Sequence, residues 1–166
     1  MVIYCYENCE KLIVSEKNME LKIVDKNSTD FLFLADKLDE YYFEIVGPVQ
    51  ALYAEVNKPY NMNGLCVVYE EDKPIGCGAW KKIDETTAEI KRIYVLPDHR
   101  RKGVASMIVK GMEEDALKAG FRHYILETAR TTMDSANLYF SLGYKEIDYY
   151  GSPAGAENCR CFEKSV

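Results

Sequence analysis

The sequence lacks the features that mark membrane, secreted and nucleic-acid-binding proteins. No apolar run in its 166 residues approaches the roughly 18 to 20 residues that a membrane-spanning helix needs. The opening MVIYCYENCEKL has neither the basic head nor the small-residue cleavage site of a signal peptide. The net charge is -6, whereas a protein that binds the phosphates of nucleic acid relies on a basic surface. We therefore expect a cytoplasmic protein whose partners include neither membrane nor nucleic acid.

The six cysteines are not arranged as a metal or redox motif. There is no Cys-x-x-Cys pair, and both histidines, His99 and His123, lie far in sequence from Cys159 and Cys161. Those two cysteines fall two apart on a predicted strand, too close and too parallel for a good disulfide. We expect reduced, mostly buried thiols and no metal.

What the chain does contain is the composition of an ordinary globular domain. Its hydrophobic fraction of 48% and charged fraction of 29% lie near the averages for soluble proteins. We expect one domain over residues 1–166, in which residues 1–18, with two short apolar patches, could form an N-terminal extension. The acidic charge mildly favours a cationic substrate, although an acidic surface more often serves only solubility.

The pattern of apolar and turn-forming residues predicts an α+β chain with a largely antiparallel sheet. Capping residues at 27–29 predict the start of the first helix, and Gly47 and Pro48 predict its end. Predicted strands are residues 19–24, 64–69, 74–82, 86–95, 122–128, 144–149 and 160–163. The first predicted helix ends near residue 46. Further helices are predicted at residues 48–56, 103–119 and 133–142.

The most informative stretch, IKRIYVLPDHRRKGVASMIV at residues 90–109, predicts an anion-binding loop. A strand is followed by a turn, three basic residues, and a helix that begins at Gly103. A helix N-terminus offers unpaired N–H groups and the positive end of its dipole, and Gly103 and Ala105 leave room for phosphate oxygens. A basic run before a helix is, however, more often just a solvated loop. A Rossmann site is the alternative, but Gly-x-Gly-x-x-Gly is absent and the preceding strands are hairpin-connected.

Two segments resemble a known family. Arg100 to Ala105 resembles the acetyl-CoA loop, Arg/Gln-x-x-Gly-x-Gly/Ala, of the GNAT superfamily of N-acetyltransferases, and EIKRIYVLP before it is similar to the family's central splayed strand. SANLYFSLGY, from Ser135 to Tyr144, is similar to its Leu-Tyr-x-x-x-Gly-Phe/Tyr segment. The resemblance covers about residues 86–147 and implies a three-layer fold. In this fold a mixed, mostly antiparallel sheet is splayed at the acetyl-CoA site and flanked by helices.

The resemblance also implies which residues bind acetyl-CoA. The splayed strand pairs with the pantetheine arm like an added strand and polarises the thioester carbonyl, while N–H groups of the loop hold the pyrophosphate. Thr132 and Ser135 stand where many relatives have asparagine and alanine, so the contacts of the short helix depart from the family pattern. The cofactor-binding residues implied are Ile93, Tyr94, Val95, Arg100, Arg101, Lys102, Gly103, Val104, Ala105, Ser106 and Thr132.

Transfer of an acetyl group to an amine needs a neutral nucleophile, an oxyanion donor and an acid for the CoA thiolate. Tyr139 matches the family's tyrosine near the CoA sulfur and is the expected acid, with a packing role as the alternative in a chain of 13 tyrosines. Glu89 and Glu127, on neighbouring strands, are candidate bases. A strand glutamate is equally often exposed or paired, here with Lys91 or Arg92, and many relatives rely on ordered water.

The amine pocket is expected between the two N-terminal helices and the loop before the last strand. Aromatic and acidic side chains there could bind a cationic amine. The sequence does not distinguish a polyamine, an aminoglycoside, an amino acid and a peptide N-terminus as that amine. The alternatives are a longer acyl donor and a catalytically silent CoA-binding regulatory module, and a homodimer through the last strands is also open. The pocket candidates are Tyr41, Tyr42, Tyr53, Tyr60, Tyr149 and Tyr150, with Asp39, Glu40 and Glu44.

Overall fold

The computed structural model describes residues 19–48, 57–151 and 157–166. Its strands are β1 Met19–Ile23, β2 Gly64–Glu70, β3 Lys73–Lys82, β4 Thr87–Val95, β5 His123–Ala129, β6 Lys145–Ile147 and β7 Cys159–Ser165. Its α-helices are α1 Thr29–Val46, α2 Val104–Lys118 and α3 Met133–Ser141, and single 3₁₀ turns lie at Pro59–Asn61 and Pro97–His99.

The strands form one sheet in the order β1-β2-β3-β4-β5-β7-β6. Every neighbouring pair is antiparallel except β4 and β5, which are parallel. The β2–β3 hairpin turns at Glu71 and Asp72, whose φ angles of 49° and 64° give the left-handed turn that matches the strand twist. The predicted mixed, mostly antiparallel sheet is confirmed.

Helices cover both faces of the sheet and make three layers. On one face, α1 buries Phe31, Leu34, Ala35 and Leu38, the i, i+3, i+4, i+7 spacing of an amphipathic helix, against a second core that includes Leu65. On the other face, α2 and α3 enclose the larger core. Each fully buried aliphatic side chain there stabilises the fold by about 1.5–3 kcal/mol relative to its exposed state. The larger core includes Trp80, Ile90, Ile108, Met112, Tyr124, Leu126, Ala136, Tyr139 and Phe162.

The sheet divides between its two parallel strands. β4 and β5 pair only at Thr87↔His123, Ala88↔Tyr124 and Glu89↔Ile125, although β4 continues to Val95 and β5 to Ala129. Beyond Glu89 the two strands diverge, so the backbone edge of residues 90–95 faces a gap. The predicted splay of the central strand is therefore confirmed.

The ends of the predicted elements that fall on described residues lie within two residues of the observed ends, and two strands differ most in length. The predicted strand at 144–149 is shorter, because only Lys145–Ile147 pair with β7. The predicted strand at 160–163 is longer, since β7 pairs with β5 from Cys159 to Ser165. The predicted helix at 48–56, after Pro48, and residues 1–18 lie outside the described residues.

The described cysteines are all free thiols: Cys66, Cys77, Cys159 and Cys161. The expectation for Cys5 and Cys9 lies outside the described residues. Within the described part of the chain, no group of three or more His, Cys, Asp or Glu side chains is placed to hold a metal ion. In that same part, none of the helices has the length and apolarity to cross a bilayer.

Candidate active site

A cleft of about 770 Å³ opens where the sheet divides. Its walls come from the end of β4, the loop that follows, the first turn of α2, the helix α3 and the second half of α1. It collects residues that the sequence resemblance assigned separately to a loop, a strand and a short helix. The predicted residues that line it are Ile93, Tyr94, Val95, Arg100, Arg101, Gly103, Val104, Ala105, Ser106, Thr132 and Tyr139.

The N-terminus of α2 faces this cleft without a side-chain cap. Gly103 is the N-cap residue with φ 84°, and no side chain of the described residues caps this helix end. A Cβ built on Gly103 would meet nothing within 4 Å, so the space in front of the helix is open. The first N–H groups of a helix have no partner inside the helix, and the dipole adds a partial positive charge. The end of α2 can therefore receive an anionic group.

Gly76 on β3 allows α2 to pack close to the sheet. A Cβ on Gly76 would lie 2.9 Å from the Tyr94 carbonyl oxygen, 3.0 Å from Ile108 Cδ1 and 3.1 Å from Val104 Cγ1. Only glycine leaves room for α2 to pack here. The glycine thus fixes the distance between the end of β4 and the first turn of α2.

Arg100 lies across the floor of the loop. Its Nε donates a hydrogen bond to the Val95 carbonyl oxygen at 3.2 Å, and its guanidinium carbon lies 5.2 Å from the centre of the Tyr41 ring. The second contact is a cation–π interaction with α1. Arg100 therefore links β4 to α1 and also contributes positive charge to the cleft.

The next two basic residues differ in where their side chains go. Arg101, with φ 61°, lies at the mouth of the cleft, and its guanidinium is 3.4 Å from the exposed Asp134 carboxylate. Such an exposed pair contributes little to stability and leaves the arginine free to move. Lys102 does not line the cleft, because its Nζ donates to the Asp98 carbonyl oxygen at 2.6 Å.

Tyr139 lies at the inner end of the cleft, on α3. Its side chain is almost fully buried, with ring centres 5.9 Å from Tyr144 and 5.5 Å from Phe162. Burial first, and the neighbouring Tyr42 second, raise the pKa of Tyr139 well above its usual range. The phenol is therefore protonated near neutral pH and can donate a proton.

A group of hydroxyls lies in the same cleft as Tyr139, and one of its members comes from a distant part of the sequence. Thr128 Oγ1 lies 3.2 Å from Thr132 Oγ1, which donates to the Ala129 carbonyl oxygen at 2.6 Å. Tyr42 on α1 contacts Thr128, and burial raises its pKa despite that hydrogen bond. Tyr42 was expected only on the amine side, and no local signal connects it to residues so distant in sequence.

The two candidate bases lie on the α1 face of the sheet and outside the lining of the cleft. Glu89 is 9% exposed; its Oε2 is 2.8 Å from Lys91 Nζ, and its Oε1 accepts from the Tyr150 hydroxyl at 3.1 Å. Because Glu89 pairs with Ile125, Glu127 follows on the same face of β5. Burial first and the Glu89 charge second raise the pKa of Tyr150, with a smaller contribution from Glu127. Tyr150 thus lies close to both carboxylates.

The remaining candidates for the amine side are dispersed. Tyr41 and Tyr42 line the cleft, Asp39 is paired with Arg92, and Glu40 is paired with Lys37. Residues the sequence analysis missed also line the cleft, among them Leu38 and Asn137. Tyr60, Glu44 and Tyr149 do not line it, and Tyr53 lies outside the described residues.

A sheet that parts at a central strand, with a helix N-terminus at the opening, defines the acyl-CoA N-acyltransferase fold. The model of the acetyltransferase (GNAT) family matches residues 30–144, and the chain belongs to this family. The family that the sequence resemblance indicated is thereby confirmed.

Individual relatives agree with this assignment. The chain is 35% identical over 79 residues, 46% of its length, to the uncharacterized N-acetyltransferase YsnE of Bacillus subtilis, and it spans 52% of that protein. It is 25% identical over 153 residues to the uncharacterized N-acetyltransferase YjgM of Escherichia coli, with 90% of this chain and 88% of the relative covered. Among the first curated relatives, the chain spans between 38% and 64% of their length.

A solved structure shows the same fold. The PaiA N-acetyltransferase of Thermoplasma acidophilum, determined in complex with coenzyme A, superposes with a TM-score of 0.68 at 16% identity. The superposition covers 89% of this chain and 99% of that one.

Proposed function

We propose that the protein is an N-acetyltransferase that transfers an acetyl group from acetyl-CoA to a primary amine by direct attack in a ternary complex. The observation that carries the proposal is that one cleft contains the unpaired edge of β4, the uncapped end of α2 and the buried phenol of Tyr139. The names of the relatives, and the coenzyme A bound by the PaiA enzyme, support it.

The cleft suits the two chemical parts of acetyl-CoA. The pantetheine arm carries amides that would pair with the β4 backbone edge at Ile93 and Val95, which no strand of the described residues covers, as an added strand does. The pyrophosphate would accept hydrogen bonds from backbone N–H groups in the first turn of α2. Arg101, at the mouth of the cleft, would supply a mobile positive charge. The carbonyl oxygen of the thioester would then lie at the end of β4, where backbone N–H groups would stabilise the negative charge that develops on it.

The chemistry then needs two proton movements. The neutral amine attacks the thioester carbonyl, a C–N bond forms, and the C–S bond breaks as the intermediate collapses. Tyr139 gives its proton to the departing thiolate, and the ammonium nitrogen loses one to a base. On the α1 face, Glu89 or Glu127 would take that proton through water, with Tyr150 close to both carboxylates.

The proposal is tested by titrating the protein with acetyl-CoA and CoA, and by screening amines for release of free thiol. Tyr139→Phe is expected to lower kcat about 100-fold, the lower end for general acid catalysis, with the CoA affinity unchanged. Tyr144→Phe is the matched control, since it removes a hydroxyl from a neighbouring buried tyrosine that does not line the cleft. Binding without amine-dependent thiol release would favour the regulatory module, and no CoA binding would refute the proposal.

The base is identified by comparing Glu89→Gln with Glu127→Gln at saturating acetyl-CoA. The variant that loses the base should show a lower kcat and an unchanged KM for acetyl-CoA. Its deficit should shrink as the pH rises, because solvent hydroxide can then take the proton from the attacking nitrogen in place of the carboxylate. Equal, small effects in both variants would assign the proton transfer to ordered water instead.

A further inference from the structure

Arg92 occupies an unusual backbone position in β4. Its φ is 58°, in the left-handed region, and the β3–β4 register shifts between Cys77 and Ala79, opposite this residue. Arg92 and Ile93 together therefore form a β-bulge. A residue with a Cβ costs about 1–2 kcal/mol in this conformation, and glycine would avoid that cost. The arginine therefore lies at a position where the backbone conformation favours glycine.

The guanidinium of Arg92 is buried and binds one turn of α1. NH1 is 2.6 Å from Asp39 Oδ1, NH2 is 3.0 Å from Asp39 Oδ2, and NH2 also donates to the Ala35 carbonyl oxygen at 2.8 Å. The Arg92 side chain is 4% exposed and that of Asp39 is 46% exposed. The Nε of Arg92 is buried and has no hydrogen-bond partner among the described residues.

Stability alone does not favour this arrangement. Taking the Arg92 guanidinium out of water is costly even with an anionic partner, and its buried Nε, without a partner among the described residues, carries a further cost. Backbone strain of this kind concentrates at functional sites. The three costs coincide at one residue, which indicates a role in positioning.

The two elements that Arg92 connects are two walls of the cleft. Directly after the bulge, Ile93, Tyr94 and Val95 line it from β4. On either side of Asp39, Leu38 and Tyr41 line it from α1. One guanidinium therefore holds the free backbone edge of β4 at a fixed distance from α1.

We propose that Arg92 and Asp39 are positioning residues that set the β4 edge for the acyl-carrying arm of the cofactor. This rests on the proposed function, since the arm is assigned to that edge. Neither side chain needs to touch the ligand. The pyrophosphate site at α2 lies on a different element and should be indifferent to the pair.

This separation gives a direct test with two probes, CoA and its nucleotide fragment 3′-phosphoadenosine 5′-diphosphate, titrated by calorimetry. Arg92→Lys keeps the charge without the two-pronged geometry, and Arg92→Gly suits the φ of 58° but removes the side chain. Both variants are expected to weaken CoA binding about tenfold, equal to about 1.4 kcal/mol, and to change the affinity of the fragment by less than about twofold. Partial unfolding would instead lower the affinities for CoA and for the fragment by the same factor.

Two further variants keep the test decisive. Asp39→Asn retains the shape of the partner and removes its charge, and should reproduce the selective loss if the arginine variants fold poorly. Arg160→Lys is the matched control, because Arg160 makes a similar bidentate pair with Glu146, at 2.8 and 2.7 Å, away from the cleft. It should leave both affinities unchanged.

The outcomes separate this inference from the proposed function. Equal weakening of CoA and the fragment, or CoA binding by Arg92→Gly as tight as in the wild type, would overturn the positioning role and leave the proposed function intact. If the wild-type protein bound CoA no more tightly than the fragment, both the positioning role and the proposed function would be overturned.

Discussion

Two glycines that flank α2 allow the proposed phosphate-binding role of its N-terminus to be isolated. Gly103 precedes α2 with φ 84°, and Gly120 follows it with φ 100°. A Cβ at either position meets nothing within 4 Å. Substitution by alanine therefore imposes similar backbone strain in both places without a clash, and only Gly103 lines the cleft.

The expected magnitudes follow from that comparison. The left-handed conformation costs an alanine about 1–2 kcal/mol. For a domain of this size, each kcal/mol lowers Tm by about 2–4 °C, so both ligand-free variants should melt about 2–8 °C below the wild type. CoA at 100 times its Kd stabilises the wild type by about 2.7 kcal/mol, and a tenfold weaker affinity would leave about 1.4 kcal/mol. The rise in Tm caused by CoA should therefore fall by about half in Gly103→Ala alone.

Thermal melts with and without CoA, at one fixed ligand concentration, measure both effects in the same samples. Gly120→Ala should melt early yet retain the full CoA-dependent rise. If Gly103→Ala retained it as well, the open space before α2 would not be the pyrophosphate site. If Gly103→Ala melted at the wild-type temperature without ligand, the strain argument would be wrong.

Three other changes have defined outcomes. Trp80 Nε1 donates to Asp115 Oδ2 at 2.7 Å, so Asp115→Ala should lower the free energy of unfolding by about 1–3 kcal/mol, followed in urea through the fluorescence of this single tryptophan. Hydrogen bonds from backbone N–H groups of its turn lower the pKa of Asp84 to about 2. Its stabilisation is thus present above the unfolded value near 3.8 and lost as pH falls towards 2, and Asp84→Asn should flatten Tm against pH in that window. Because the pKa of Tyr139 is raised, kcat should not decline through loss of this acid until the pH exceeds the ordinary tyrosine value of about 10.

Much of the fold could be predicted because local patterns and tertiary packing agree. The spacing of Phe31, Leu34 and Leu38 marks the buried face of α1, and the acidic turn before Lys73 marks the β2–β3 hairpin. Gly103 is similarly informative, since a glycine directly before an amphipathic helix leaves open space at the helix N-terminus. These features depend on neighbours in sequence.

The bulge at Arg92 had only a weak signal. The run IKRIYV breaks the alternation of a regular strand at the adjacent Lys91 and Arg92, but the left-handed residue is an arginine where a glycine would have been a clearer sign. Its partner Asp39 lies 53 residues earlier, on an element predicted only to present acids to solvent or to an amine. Contacts of this kind arise from tertiary packing and are invisible to periodicity.

Side-chain directions in the loop were also beyond the sequence. Three consecutive basic residues predict positive charge near a phosphate, yet Arg100 lies along Val95 and Tyr41, and the Lys102 ammonium turns back to a carbonyl. Of the alternatives weighed for Glu89, pairing with Lys91 is the one observed. Which carbonyl or carboxylate a long cationic side chain reaches depends on a few ångströms of loop geometry.

The gap between β4 and β5 has a consequence for which molecules can reach an unpaired strand edge. Unpaired strand edges recruit strands from other molecules, and proteins usually blunt them by shortening or covering them. Here the free edge of β4 is turned inward, between two strands that remain joined at Glu89 and Ile125 and are bridged by α2 and α3. The outermost strand at one end of the sheet, β6, has only three residues. The β4 edge thus remains accessible to a narrow, extended ligand and is sheltered from a second folded chain.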